Sequence, residues 1–479
     1  MMAAVRQLAL LLALSAALPA QQQPLRLGPG LTTSQVIPRN GNSGSLNVSG
    51  EAGSDGPVFA TITSRGATVS PWTNREVGRA SNSKWAAQLA GIPVGGPYRI
   101  AFHLNRNAQT EVVVDDVYVG DIWVLAGQSN MVGRAPLDAP EPPHPMVRMQ
   151  LPDMRWSIAQ EPLHERKEGA DGEPIGAGSA LTFAKEMIQR TGIPIGLIAC
   201  AKGGTNLTQW DPEKKDSQSL YGALLHKVAA AGGKVAGILW YQGEADCRDT
   251  RAHLFADRFQ KLVSSLRADL HAPNLPFYYA QLARFAGEEL SGHTVQSEEI
   301  VREAQRKAES QIPHSLLLAT IDLELGDHIH LDAPSQRRMG RRFAAAVCAD
   351  RFAGNVQCPA KTRGPRLDSI RWESPYRLRI HFSQANGKLQ STGRPLGFSI
   401  ADEAGTPRQL VFRVDLQGSD AVLSFNRLYP FPKKMFLWYG RGFDPACNLT
   451  DESDLAVPAF GPMELPARPG GDKETGTAQ

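Results

Sequence analysis

An α/β domain built on a parallel sheet and set between two β domains is the architecture this sequence predicts, and three observations predict it. Short apolar runs at 122–126, 195–201, 235–241, 276–282 and 315–321 alternate with amphipathic stretches of helical length at 178–190, 219–231, 249–270 and 296–310, with 334–349 after the last. Strand-sized runs separated by helices imply βαβ crossovers, hence parallel strands covered on both faces. On either side of that block, short runs of period two replace the helical period. The length of 479 residues also makes room for about three domains at roughly 150 residues each.

Composition narrows the class. Hydrophobic residues make up 42 % and charged residues 21 %, an ordinary globular balance. Lys+Arg 51 against Asp+Glu 48 gives +3, which excludes a strongly basic nucleic-acid binder. Beyond the first 20 residues the apolar runs are strand-sized, so no multispan membrane protein is expected.

Taken in order, residues 1–20 read as a secretory signal. Arg6 precedes an apolar run from Leu8 to Leu18, and Ala20 precedes three glutamines. The run is too short for the roughly 20 residues of a span, so the mature chain is expected to be secreted or periplasmic with no membrane span. Residues 25–110 are rich in Gly, Ser, Thr and Asn, with alternating runs such as Val58-Phe59-Ala60-Thr61-Ile62, and read as a β-sandwich-like domain. The α/β domain is assigned to 111–358. A second β-sandwich-like domain follows at 365–465, where Leu378-Arg379-Ile380-His381-Phe382 alternates, and 466–479 reads as a disordered tail. Of five cysteines, Cys348 and Cys358 lie ten residues apart across a loop containing Gly354, a candidate disulfide for an exported chain.

The chemistry is sought at the carboxyl ends of the strands, where open α/β sheets bind ligands. After the first comes Gly127-Gln128-Ser129-Asn130-Met131, a serine on a glycine-preceded turn. That is where a nucleophile sits, although such a serine also serves as an N-cap and Met131 excludes the G-x-S-x-G elbow. After the second comes Lys202-Gly203-Gly204-Thr205, whose glycines allow backbone N–H groups to approach a ligand. After the third comes Gln242-Gly243-Glu244-Ala245-Asp246. Its amide, with a glycine N–H of the 202–205 turn and the N–H of Ser129, would make an oxyanion hole, while Glu244 and Asp246 read first as structural hydrogen-bonding groups. After the fifth comes Asp327-His328-Ile329-His330-Leu331-Asp332. The D-x-x-H spacing supplies a base, His330, and a carboxylate, Asp327, to orient it. The competing reading takes His328 and His330 with Asp327 or Asp332 as metal ligands, which leaves Ser129 and Gln242 idle.

These stretches resemble the SGNH hydrolases and, within them, the sialate O-acetylesterase-like carbohydrate esterases. The likeness rests on Val119-Gly120-Asp121-Ile122-Trp123 leading into Gly127–Met131, on Gly203-Gly204-Thr205 followed by Trp210, and on Trp240-Tyr241-Gln242-Gly243-Glu244. It extends through Val301-Arg302-Glu303-Ala304-Gln305 and the 327–330 turn. The resemblance implies an SGNH-type (flavodoxin-like) parallel sheet flanked by helices and β domains, and a cofactor-free, metal-independent serine esterase acting on O-acetylated glycans. It casts Ser129 as nucleophile, Asp327 and His330 as its partners, and Ser129, Gly204 and Gln242 as oxyanion donors. Gln128, Asn130, Gly203, Glu244 and His328 are left as substrate-binding or supporting residues. Where sialate-type enzymes carry Asp-Ile-His-Pro, this chain continues His330-Leu331-Asp332, closer to acetylxylan esterases of the same clan, so another polysaccharide acetyl ester is the alternative substrate. A rival of a different class is a non-catalytic glycan-binding protein with the same three domains.

Overall fold

The computed structural model describes residues 25–164, 176–290, 292–355, 357–358 and 360–469; the expected signal segment 1–20 and residues 470–479 of the expected tail lie outside them. The first unit carries β1 (Arg26–Leu27), β2 (Val36–Asn40), β3 (Ser43–Glu51), β4 (Gly56–Ser64), β5 (Ala67–Thr68), β6 (Arg75–Ser81), β7 (Lys84–Pro93), β8 (Gly95–Leu104) and β9 (Asn107–Gly127). Period-two burial accounts for them. In β7, Trp85, Ala87 and Leu89 are buried between exposed Lys84, Ala86 and Gln88.

The sandwich expected here is corrected by the pairing. The path β3–β7–β6–β4–β8–β9 is antiparallel throughout, and β2 joins its two ends, parallel to β9 and antiparallel to β3. Seven strands thus close into a barrel around one core that includes Val58, Ile62, Leu89, Ile100 and Phe102. β2 closes it because Val36 and Ile37 are wholly buried there, and closure leaves those strands without a free edge.

The domain boundary expected at 110/111 falls inside β9, a single strand of 21 residues. Its first part pairs with β8, and Asp121 to Gly127 continue into the α/β sheet. The strand changes character along its length: 107–116 are mixed in burial, whereas 117–127 are all buried, as befits a strand covered on both faces.

The α/β unit adds α1 (Ser129–Val132), β10 (Val147–Gln150), β11 (Trp156–Ile158), α2 (Ala180–Thr191), β12 (Ile195–Ala199), α3 (Leu220–Ala230), β13 (Gly237–Tyr241), α4 (Phe255–Asp269), β14 (Phe277–Ala280), α5 (Val295–Gln311), β15 (Ser315–Leu318) and α6 (Ala333–Arg351). Its strands run β10–β12–β9–β13–β14–β15 with every neighbouring pair parallel, and β11 is antiparallel at the β10 edge. Gly127 ends β9 with φ +125°. A Cβ there would lie 2.1 Å from the Tyr241 carbonyl oxygen, so only glycine lets β9 and β13 run side by side up to the serine turn.

The last unit contains β16 (Arg366–Ser374), β17 (Arg377–Ser383), β18 (Leu389–Ser391), β19 (Phe398–Asp402), β20 (Pro407–Arg408), β21 (Val411–Gln417), β22 (Asp420–Phe425), β23 (Met435–Tyr439), β24 (Leu449–Asp451) and β25 (Phe460–Glu464). Two antiparallel four-stranded sheets, β16–β17–β22–β21 and β20–β19–β23–β25, share one core that includes Leu378, Phe382, Ile400, Leu423 and Leu437. Polar contacts fasten this unit to the α/β domain. Buried Arg342 binds both carboxylate oxygens of Asp322 at 2.7 and 2.6 Å and donates to the Asp454 carbonyl at 2.6 Å. The Gln281 amide pairs with both backbone groups of Ala459. Cys348 and Cys358 form a disulfide with Cα atoms 5.6 Å apart. No helix among the described residues is long and apolar enough to cross a membrane.

Candidate active site

The carboxyl ends of β9, β12 and β13, with the turn before α6, enclose a cavity of about 490 Å³. Ser129, Gly204, Glu244, Gln128, His328 and His330 all line it. Ser129 opens α1 directly after the Gly127–Gln128 turn and is 5 % exposed; its Oγ and its N–H make no hydrogen bond among the described residues. Gly204 adopts φ +68°, the left-handed region, and its N–H is likewise unengaged among the described residues. Gly203 sits against the serine: a Cβ there would come within 3.8 Å of Ser129 Cβ and 2.5 Å of Arg134 Nη2.

Asp327 and His330 pair within one turn. His330 Nδ1 lies 2.7 Å from Asp327 Oδ2, while Asp327 Oδ1 accepts the N–H groups of Ile329 and His330 at 2.8 and 2.7 Å. Burial alone would raise this carboxyl, but the two backbone donors and the ring outweigh it and hold Asp327 below the usual carboxylate range. An ionised Asp327 keeps the proton on Nδ1 and leaves Nε2 as the basic nitrogen.

Asn130 ties this turn to the serine turn. Its Nδ2 donates to Ile329 O at 3.2 Å and its Oδ1 accepts from Leu331 N at 3.0 Å, bracketing His330 on both sides. Glu244 Oε1 accepts the same Nδ2 at 2.8 Å, and Gln336 donates to the Asn130 carbonyl. Burial pushes the Glu244 carboxyl up to about 7, against the lowering effect of Asn130. Gln128 Oε1 accepts from Ala245 N at 3.2 Å and from Gly243 N at 3.4 Å, fixing the neighbouring turn.

Gln242 is not where the sequence places it. It is wholly buried, and its amide nitrogen donates to Asp246 Oδ2 at 2.6 Å and to Thr205 O at 3.2 Å. Both N–H donors are therefore spent on the scaffold, which corrects its assignment as an oxyanion donor. It serves instead to bind the β13 turn to the Thr205 loop. His328 and His330 do not converge with a carboxylate as a three-ligand group among the described residues. Asp332 is engaged locally as the N-cap of α6, accepting from Ser335 N at 2.8 Å, with proline in the first turn. Asp332, the last residue of the D-x-x-H-x-D spacing, is thus accounted for by how the helix starts.

Sequence reading missed four residues here. Arg134 is 8 % exposed, lines the cavity, and has Nε and Nη1 unpartnered. Phe285 and His293 line the cavity from the loop before α5, and Glu298 stands behind His293 at 2.9 Å. No motif announces them, because the loop and helix that carry them meet only in the fold.

Residues 119–349 match the family model described as carbohydrate esterase, sialic acid-specific acetylesterase. A probable carbohydrate esterase of Arabidopsis thaliana is 29 % identical over 252 residues, covering 48 % of this chain and 90 % of that protein. The sialate O-acetylesterase of Homo sapiens is 23 % identical over 240 residues, 40 % of this chain and 44 % of that one, so the match spans under half of the human protein. A solved structure described as a carbohydrate acetylesterase from Xanthomonas citri matches over 91 % of this chain and 99 % of its own, with TM-score 0.66 and 23 % identity, a likeness of fold.

Proposed function

We propose, from the match of residues 119–349 to the family model described as carbohydrate esterase, sialic acid-specific acetylesterase, that the protein is an SGNH-type serine esterase removing O-acetyl groups from sugar hydroxyls. The observation that carries this reading is one cavity lined by both Ser129 and His330, with His330 Nδ1 2.7 Å from an Asp327 carboxyl that backbone donors hold below the usual range. His330 Nε2 takes the Ser129 proton as Oγ attacks the acetyl carbonyl, and Asp327 stabilises the imidazolium that forms. The N–H groups of Ser129 and Gly204 receive the oxyanion. His330 then returns the proton to the departing sugar oxygen, leaving an acetyl-enzyme that water, activated by the same ring, hydrolyses.

Export of the mature chain is part of the proposal, supported by the Arg6–Ala20 pattern and by the Cys348–Cys358 disulfide. Since Asp332 is occupied in capping α6, sialosides and acetylated xylan stand as equal candidates. The test is acetate release from both, by the wild type and Ser129→Ala, in chelator. Release by the wild type alone supports the serine mechanism. Glycan binding that is indifferent to Ser129→Ala, with no release, would favour the non-catalytic binding protein.

A further inference from the structure

The cavity is lined by a second histidine, backed by a carboxylate, that the mechanism above does not use. His293 is 4 % exposed, lines the cavity, and places Nε2 2.9 Å from Glu298 Oε1. Arg302 lies 3.7 Å from the other oxygen of Glu298, so the carboxylate has a cation beside it. With the Nε2 proton donated to Glu298 Oε1, Nδ1 is left as a lone-pair acceptor. Nδ1 has no hydrogen-bond partner among the described residues.

Aromatic rings hold this imidazole on two sides. The ring centre of Phe285, which also lines the cavity, is 4.6 Å from that of His293, and Phe443 is 5.1 Å away. Phe443 comes from the C-terminal β domain. Its carbonyl accepts the Phe285 N–H at 2.8 Å, and Gly442 O accepts Arg302 Nη1 at 2.5 Å. An apolar ring face with one fixed polar acceptor suits a pyranose, which offers C–H groups on its face and hydroxyls around its edge.

We propose that His293 and Phe285 form the sugar-recognising wall of this cavity, His293 Nδ1 accepting a hydrogen bond from a free hydroxyl of the acetylated sugar while Phe285 supports its face. The C-terminal β domain thereby shares in specificity, because its 442–443 segment fixes Phe285, His293 and Arg302 in place. This inference rests on the esterase reading and adds where the sugar is read. The same His293 and Glu298 also lie within 4.8 Å of Cys247 Sγ, a possible three-ligand metal set. That set is already engaged: Arg302 flanks Glu298, and Cys247 Sγ donates to Gly243 O at 3.3 Å.

The test compares two esters, an O-acetylated sugar and p-nitrophenyl acetate, which carries the acetyl group without a sugar. His293→Ala is expected to lower kcat/KM for the sugar ester about 10- to 100-fold, chiefly through KM, and to leave p-nitrophenyl acetate within about threefold. His293→Asn, which restores an amide oxygen near the Nδ1 position, should recover part of the loss. Equal loss on both esters would overturn the proposal, assigning the ring to the serine or to the fold. Loss of sugar selectivity in the wild type on adding chelator would overturn it in favour of a metal. Hydrolysis of p-nitrophenyl acetate that survives Ser129→Ala would instead strike the esterase reading, and this proposal with it.

Discussion

The two histidine–carboxylate pairs of the cavity are assembled in opposite ways. Asp327 and His330 stand three residues apart in a single turn, with side chains 40 % and 13 % exposed. Asp327 is kept ionised by backbone N–H groups of that same turn. His293 and Glu298 join a loop to a helix, with side chains 5 % and 3 % exposed; their neighbouring cation is Arg302, and one of their neighbouring rings belongs to another domain. A ring that must gain and lose a proton benefits from solvent and a self-contained partner, since neither protonation state is then stranded. A ring that presents one fixed lone pair benefits from burial and a partner held in place by a neighbouring cation. In the proposed mechanism, the environment of each carboxylate divides proton transfer from recognition.

Mutations probe that division in decreasing order of effect. Ser129→Ala should lower kcat by about 10⁴- to 10⁶-fold on every ester, because the proposed mechanism has both pairs serve this one side chain; comparable turnover would remove Ser129 from the role of nucleophile. Asp327→Asn should lower kcat about 10⁴-fold by releasing the His330 tautomer, whereas Glu298→Gln should cost less than about tenfold on p-nitrophenyl acetate. Reversal of those two results would exchange the roles of the pairs. Between them stands Glu244. A carboxyl raised from 4.5 to about 7 holds its proton more tightly in the folded than in the unfolded chain, so stability falls as pH rises across that interval, by on the order of 3 kcal/mol. Urea midpoints at pH 5 and 7.5 should therefore differ less in Glu244→Gln than in the wild type, and an unchanged gap would rule out Glu244 as the source. Smallest is His328→Ala, expected to stay within about tenfold on both esters while His330→Ala abolishes turnover; the opposite outcome would move the base by two residues.

What could be read from the sequence follows the same division. The Asp327–His330 pair and Ser129 belong to contiguous stretches at strand ends, where spacing alone puts chemistry on one turn. The helices between the strands were legible because their apolar periods are long. By contrast, β10 escaped because Arg148 stands in its middle. It is 2 % exposed, answered by Asp116 at 2.8 Å and by the Tyr118 hydroxyl, partners about thirty residues away. Gln242 misled for a related reason: a strand-end amide looks available until Asp246 and Thr205 claim both its donors. The barrel was invisible because its closure depends on β2 reaching β9 and β3 at once, a relation between distant segments that alternation cannot express.

The continuity of β9 bears on how this protein comes apart. No linker separates the barrel from the catalytic sheet, since one hydrogen-bonded strand is structural in both. Arg39 reinforces the junction by gripping both oxygens of Asp121 at 2.7 and 3.0 Å. Melting the barrel would strip partners from the strand that delivers Ser129, so the two units should unfold in a single calorimetric transition. For the same reason, a recombinant catalytic fragment begun near residue 111 would start in the middle of a strand and forfeit its neighbours, and genetic dissection of this enzyme has to begin upstream of the barrel.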